Sequence, residues 1–286
     1  MGITFALLAA FSQATLWVSL KKSYDKLTPS VAFFLDMAWG LLIWIPFSLI
    51  IGVNFASLTT LLIYAFISGI LSEAFVFYVM SKGEVSFTST IFSTYPLFTI
   101  FFSVLINKEQ LLPSQWALVT VVIIGTLLVS IPDKINKEEF KKKSFLIWPL
   151  LGAFTVGISD TLSKSIIDKT SATSFLFALA LVQIPIALAY LKIEKQKLSQ
   201  FTSIIKKFSV YKFALLGSLL NVITVLFLWL SFQYAPASIA SPITASYPGI
   251  VILLAIVFLK EKVNLKDLIG FALIILGIGG LGYITG

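Results

Sequence analysis

The sequence predicts an all-α integral membrane protein whose ten transmembrane helices form two inverted five-helix repeats. Three observations predict it. Hydrophobic residues make up 58% of the 286-residue chain and charged residues 12%, against about 45–50% and about 25% in soluble domains. Ten apolar runs each approach the ~20 residues that a helix needs to cross the hydrocarbon core. One pattern also occurs twice: Tyr95-Pro96, Lys108-Glu109 and Gly125 return as Tyr247-Pro248, Lys260-Glu261 and Gly277, at a constant offset of 152.

The first span, 3–20, has no lysine before it and ends at Lys21-Lys22, so it reads as a reversed anchor and not as a removed signal peptide. Span 2 (31–51) carries Asp36 and Pro46, and span 3 (59–80) carries Glu73 near its middle. Span 4 (87–106) is centred on Tyr95-Pro96 and is followed by the charged turn Lys108-Glu109. Span 5 (115–131) holds only Thr120, Thr126 and glycine among its polar or small breaks. The second half repeats the plan. Span 6 (145–163) carries Thr155 and Asp160, span 7 (173–191) Gln183 and Pro185, and span 8 (212–232) Asn221. Span 9 (238–259) contains Tyr247-Pro248, and span 10 (267–284) is again nearly free of polar groups. Helix is the only spanning option, because membrane strands are half this length and alternate in polarity. The domain plan is therefore a first repeat at 1–131, a cytoplasmic linker at 132–144 and a second repeat at 145–286.

Loops after spans 1, 3, 5, 7 and 9 hold 18 of the 21 lysines; the other side holds Lys108, Lys164 and Lys169. The positive-inside rule places the 18 in the cytoplasm and both termini outside. This split explains the basic pI without nucleic acid. Five spans per repeat is an odd number, so the second repeat enters the membrane inverted and spans 4 and 9 run antiparallel. In the 192–211 connection, Leu198, Phe201, Ile204, Ile205 and Phe208 recur at helical spacing opposite Lys206 and Lys207, as in an interfacial helix or, alternatively, a basic linker.

All basic residues are lysine; Arg, His and Cys are absent. Disulfides and thiolate metal sites are excluded, the commonest metal ligand is missing, and no bidentate arginine fork is available for phosphate. No metal and no cofactor is expected. There is no glycine-rich phosphate loop and no nucleophile–base pair, so neither an enzyme nor a self-contained ATP-driven pump is expected.

Polar groups at depth need a partner or a wet cavity. Glu73, Asn221 and Gln13 lie mid-span, and together with Asp36 and Asp160 they suggest that spans 1–4 and 6–9 enclose a polar cavity, with 5 and 10 peripheral. Glu73 is the first coupling candidate, followed by Asp36 and Asp160. Asp36 could equally face the inner headgroups, and Asp160 could pair with Lys164 four residues on. Asn221, Gln13 and Gln183 could equally join helices by hydrogen bonds. A mid-helix proline frees a backbone carbonyl, so Tyr95-Pro96 and Tyr247-Pro248 are candidate lining groups facing each other across the repeat axis. Trp17, Phe77, Tyr78 and Trp229 can add aromatic walls, though Trp17 could equally be an interface anchor. The Lys-Glu turn reads as architecture, its glutamate set to bind backbone donors at the next helix start, or as a gate at most.

Ten spans as five plus five, a proline-centred fourth span, a charged turn and a glycine-bearing fifth span resemble the EamA-type branch of the drug/metabolite transporter superfamily. The residues that carry the resemblance are Tyr95-Pro96-Leu97, Lys108-Glu109 and Gly125, with Tyr247-Pro248, Lys260-Glu261 and Gly277. Here Lys precedes Glu in both turns, the reverse of the family's usual order. The resemblance implies a secondary active transporter of the cell membrane, an exporter or permease, working by alternating access. Its expected substrate is an amino acid or a similar zwitterionic, neutral or cationic solute; multidrug or amphiphile efflux, and a lipid flippase or scaffold, are the alternatives. Expected partners are a small-molecule substrate and the lipid bilayer, with no nucleic acid; monomer and homodimer both stay open.

Overall fold

A chain in hydrocarbon must satisfy its backbone within each segment, and helices are how the described residues of this chain do so. A computed structural model describes residues 1–21, 27–81, 91–131, 143–198, 201, 204, 207–254 and 264–285. Among them all regular structure is helical. The first repeat holds α1 (Gly2–Lys21), α2 (Pro29–Ile51), α3 (Phe55–Met80), α4 (Tyr95–Ile106) and α5 (Pro113–Ser130). The second holds α6 (Lys143–Ile167), α7 (Ala172–Ile193), α8 (Phe208–Tyr234), α9 (Ala237–Leu254) and α10 (Leu265–Thr285). Eight helical stretches are long and apolar enough to cross a membrane; the described parts of α1 and α4 are shorter apolar helices. Leu42, Ile50, Phe101 and Leu276 stand more than half exposed. An apolar exterior of this kind belongs in lipid.

Local chemistry starts several helices. Pro29 and Pro113 occupy first-turn positions, where the missing N–H is no loss. Ser171 Oγ accepts from Ser174 N at 3.1 Å, and Gln115 Oε1 accepts from Leu112 N at 2.9 Å.

The two repeats interlock through their first helices. α1 packs on α8 and α9, and α6 packs on α3 and α4. Gly157 makes the second of these contacts possible: a Cβ there would lie 2.4 Å from Phe98 Cβ. α2 and α7 lie side by side, and Trp44 Nε1 donates to Val222 O of α8 at 3.0 Å. α5 and α10 pair with one another outside this core. A Cβ on Gly125 would stand 2.6 Å from Gly270 O, and one on Gly277 would stand 2.5 Å from Val122 Cγ2. The two repeat-related glycines thus let these helices approach closely, as small residues do in membranes.

The Tyr-Pro helices are broken rather than merely kinked. Thr94 N donates to Ile91 O at 3.1 Å and Leu97 N to Thr94 O at 3.0 Å; 152 residues on, Ser246 N donates to Ile243 O at 3.2 Å and Gly249 N to Ser246 O at 2.9 Å. Each helix tightens to three-residue turns and restarts at the tyrosine, with proline in the first turn.

Where the 192–211 connection is described, it does not lie wholly on a membrane surface. Phe201 stacks on Phe34, with ring centroids 4.0 Å apart, and Ile204 is buried with Val31, Leu35, Leu191 and Ala214. Leu198 and Phe208 are exposed; Ile205 and Lys206 fall outside the described residues, as do Lys260 and Glu261.

Candidate functional site

A cavity of about 90 Å³ opens between the repeats. Its wall comes from three repeat-related helix pairs: α1 with α6, α3 with α8, and the segment 91–106 with α9. α2 and α7 supply no lining residue, which corrects the expectation that spans 1–4 and 6–9 all enclose it. α2 and α7 carry large apolar side chains that fill the core beside it, including Phe33, Trp44, Phe175 and Leu179. α5 and α10 stay outside, as expected.

Of the residues singled out in the sequence, Gln13, Glu73, Tyr95, Asp160, Asn221, Phe77 and Trp229 line this cavity. Glu73 reaches it from a π-helical segment, Gly69–Ala74. Such segments are rare, and they collect at functional sites. Three hydroxyls brace it: Ser159 Oγ of α6 lies 2.9 Å from Ser68 Oγ and 3.0 Å from Ser72 Oγ.

The acids have partners unlike those expected. Asp36 is fully buried, not at the headgroups, and its Oδ1 accepts from Asn221 Nδ2 at 2.9 Å. Asn221 and Glu73 both line the cavity. Asp160 is not paired with Lys164. Its Oδ2 accepts from Thr99 Oγ1 at 3.0 Å and lies 3.4 Å from Ser241 Oγ. Lys164 turns away, donating to Asp168 Oδ1 and Phe232 O, each at 2.6 Å. The i,i+4 rule applies to Lys164 in both directions, and the partner nearer the helix end takes it.

Other candidates sit elsewhere. Tyr247 is buried against Ala10 and Ala14, away from the lining. Pro96 lies behind the cavity with Ile123 and Pro242, and Pro248 also stays out of the lining. Tyr78 packs edge-on against Trp148, with centroids 5.2 Å apart, in a lateral groove shared with Phe75 and Ile193. Gln183 is buried beside Gly40, not in the cavity. The Trp17 side chain falls outside the described part. Among the described residues no group of His, Cys, Asp and Glu side chains has the arrangement of a metal site.

The Lys-Glu turn performs a task across the repeats. Lys108 takes a left-handed conformation, φ 56°, uncommon for a side chain of its size. Glu109 then accepts from Ala237 N at 2.9 Å and from Ser238 N at 3.0 Å, capping α9 rather than the next helix.

Two five-helix repeats that interlock around a buried polar cavity at broken helices have the architecture of a repeat-built membrane carrier. The sequence pattern of the EamA-like transporter family matches residues 1–131 and 143–283. The chain belongs to that family of membrane transporters, within the drug/metabolite transporter superfamily. A solved crystal structure, described only as that of a protein, superimposes with a TM-score of 0.75 at 15% identity, covering 99% of this chain and 97% of the other; at that identity the likeness is one of fold. Uncharacterized protein MJ1333.1 of Methanocaldococcus jannaschii is 38% identical over 69 residues, 24% of this chain. The match spans 50% of that relative's length.

Proposed function

We propose that the protein is a secondary active transporter of the cell membrane that moves a small neutral, zwitterionic or cationic metabolite by alternating access, with Glu73 as the coupling group. The observation that carries this reading is the cavity bounded by three repeat-related helix pairs and holding the Glu73 and Asp160 carboxyls. An inverted pair of repeats can exchange conformations to open such a cavity to either side. Protons exchanged through Glu73 supply the drive, because a carboxyl at mid-depth can load on one side and release on the other.

The Glu109 bonds to α9 join with Lys164 on Phe232 O and Gln233 on Ala172 N to hold one end of the bundle together. In the predicted orientation this is the extracytoplasmic end. On that orientation the ties support reading this end as the outer gate of the transport cycle, and no enzymatic step is assigned to it. Small metabolites and lipid are the partners, and nucleic acid is not one. Amphiphile efflux is a second reading, favoured by the lateral groove of about 680 Å³ at Tyr78, Trp148 and Ile186.

Glu73→Gln, purified and reconstituted in vesicles, tests the main reading. Substrate accumulation driven by a pH gradient falls at least ten-fold while the thermal unfolding midpoint in detergent stays near that of the parent. Unchanged pH-driven accumulation moves the coupling role away from Glu73.

A further inference from the structure

The cavity wall holds buried acceptors without partners and no cation among the described residues. Asp160 is 1% exposed, and its Oδ1 has no partner among the described residues; Gln13 is 9% exposed, and its Oε1 has none either. Both line the cavity. The Glu73 carboxyl faces the same space. Against these acceptors stand Trp229 Nε1, which also lacks a partner among the described residues, and the N–H donors of the Gln13 amide itself. The Asn221 amide is already engaged by Asp36.

No cation lines the cavity among the described residues. The chain has no arginine or histidine, and Lys164, buried in a neighbouring turn of α6, is spent on Asp168 and Phe232 O. A buried polar atom without a partner is destabilising by about 1–3 kcal/mol, so the two acceptors in the wall of one cavity each call for a donor. An ammonium has three N–H donors and no acceptor, and the ring faces of Trp229, Phe77 and Phe92 favour a cation beside them. A carboxylate would meet two carboxyls and no cation among the described lining residues, and like charges at close range cost several kcal/mol.

Asp160 is also the best oriented of the acids. Thr99 from α4 and Ser241 from α9 hold its Oδ2 from behind, which fixes the free oxygen without occupying it. Preorganisation of this kind reduces what binding must order. We propose that the cavity selects protonated amines that carry an apolar body and no carboxylate, with Asp160 Oδ1 and Gln13 Oε1 receiving the ammonium. This inference rests on the transport reading and narrows its substrate class to the cationic members.

The test uses three compounds with one skeleton: phenethylamine, L-phenylalanine and 3-phenylpropionate. Binding to the full chain in lipid nanodiscs is measured by calorimetry, which needs no transport. Phenethylamine is expected to bind at least ten-fold tighter than phenylalanine, and phenylpropionate not at all. Asp160→Asn is expected to weaken phenethylamine at least ten-fold. If that variant does not fold, Asp160→Glu keeps the charge with a displaced oxygen and is expected to bind the amine more weakly than the parent, still ahead of phenylalanine. Equal affinity for amine and amino acid, no binding of the amine, or full affinity in folded Asp160→Asn each overturns the inference. A chain that binds the amine in nanodiscs yet moves none in vesicles removes the transport reading and leaves the amine site standing.

Discussion

Glu109 caps Ser238 across the repeat boundary: one carboxylate oxygen accepts from the Ser238 backbone N–H at 3.0 Å and also from its hydroxyl. The other oxygen takes Ala237 N at 2.9 Å. A carboxylate at a helix start satisfies donors that no residue within the helix can reach and sits at the positive end of the helix dipole. α9 is the helix whose broken middle faces the cavity, so its entry angle is set by a residue of the other repeat.

Glu109→Ala therefore removes a cap and an inter-repeat tie together. Loss of a cap costs about 0.5–2 kcal/mol, and the thermal midpoint in detergent should fall, with Glu109→Gln intermediate. The chain has no cysteine, so a single cysteine at Gln233 reports on that end. Its labelling by a membrane-impermeant maleimide should speed up in Glu109→Ala. A parent-like midpoint and labelling rate would show that the tie is idle.

Asn221 donates to the buried Asp36, and its loss should be felt there. Asn221→Leu leaves Asp36 Oδ1 without its donor, an exposure to unsatisfied burial of about 1–3 kcal/mol. Asp36→Leu alone leaves the amide without that acceptor. The double variant should be less destabilised than the sum of the two singles, with a coupling of about 0.6 to about 1.7 kcal/mol, the range for hydrogen bonds between membrane helices. Strict additivity in a double-mutant cycle would mean that the 2.9 Å bond contributes nothing net.

The ten helices are legible in the sequence because the bilayer imposes a length that each apolar run must meet. Gln13, Glu73, Asn221 and Tyr95 are legible because a polar or proline-linked residue at mid-depth needs a reason to be there. The break at each Tyr-Pro is only half legible, since proline suits a first helical turn as well as a kink. The partners are not. Asp36 and Asn221 lie 185 residues apart, and no local spacing rule joins them. Nor does any periodicity announce the π segment that carries Glu73, or the Ser68, Ser72 and Ser159 hydroxyls that brace it. Glu109 shows the same limit: its capping chemistry is readable, but the helix that it caps belongs to the other repeat.

The lysine split of 18 to three predicts an orientation with both termini outside. The interaction of the loops with the insertion machinery and the anionic inner leaflet makes this asymmetry decisive over short loops. A fluorescent reporter that matures only in cytoplasm, fused after Gly286, should stay dark, whereas alkaline phosphatase at the same position should be active. Bright fluorescence from an intact, membrane-inserted fusion would reverse the assignment, and with it the side on which the Glu109 tie lies.

Tyr95 and Tyr247 occupy equivalent breaks but different surroundings, and substitution should separate them. Tyr95 lines the cavity, and its hydroxyl lies 3.5 Å from Ser241 O, next to the hydroxyl that supports Asp160. Tyr247 is buried between α9 and α1, against Ala10 and Ala14. Tyr95→Phe keeps the ring and removes the hydroxyl, so it should change transport modestly and leave stability near that of the parent. Tyr95→Ala should lower transport much more than Thr120→Ala in peripheral α5, whose hydroxyl only bonds to Trp116 O of its own helix. Tyr247→Ala should act first on folding: truncating a buried aromatic ring costs about 3–5 kcal/mol in a well-packed core. Its transport per folded molecule should then fall less than that of Tyr95→Ala. The measurement is vesicle uptake normalised to the monodisperse fraction, alongside the thermal midpoint of each variant. Equal loss of normalised uptake in both alanine variants, with equal midpoints, would return the two tyrosines to symmetric roles.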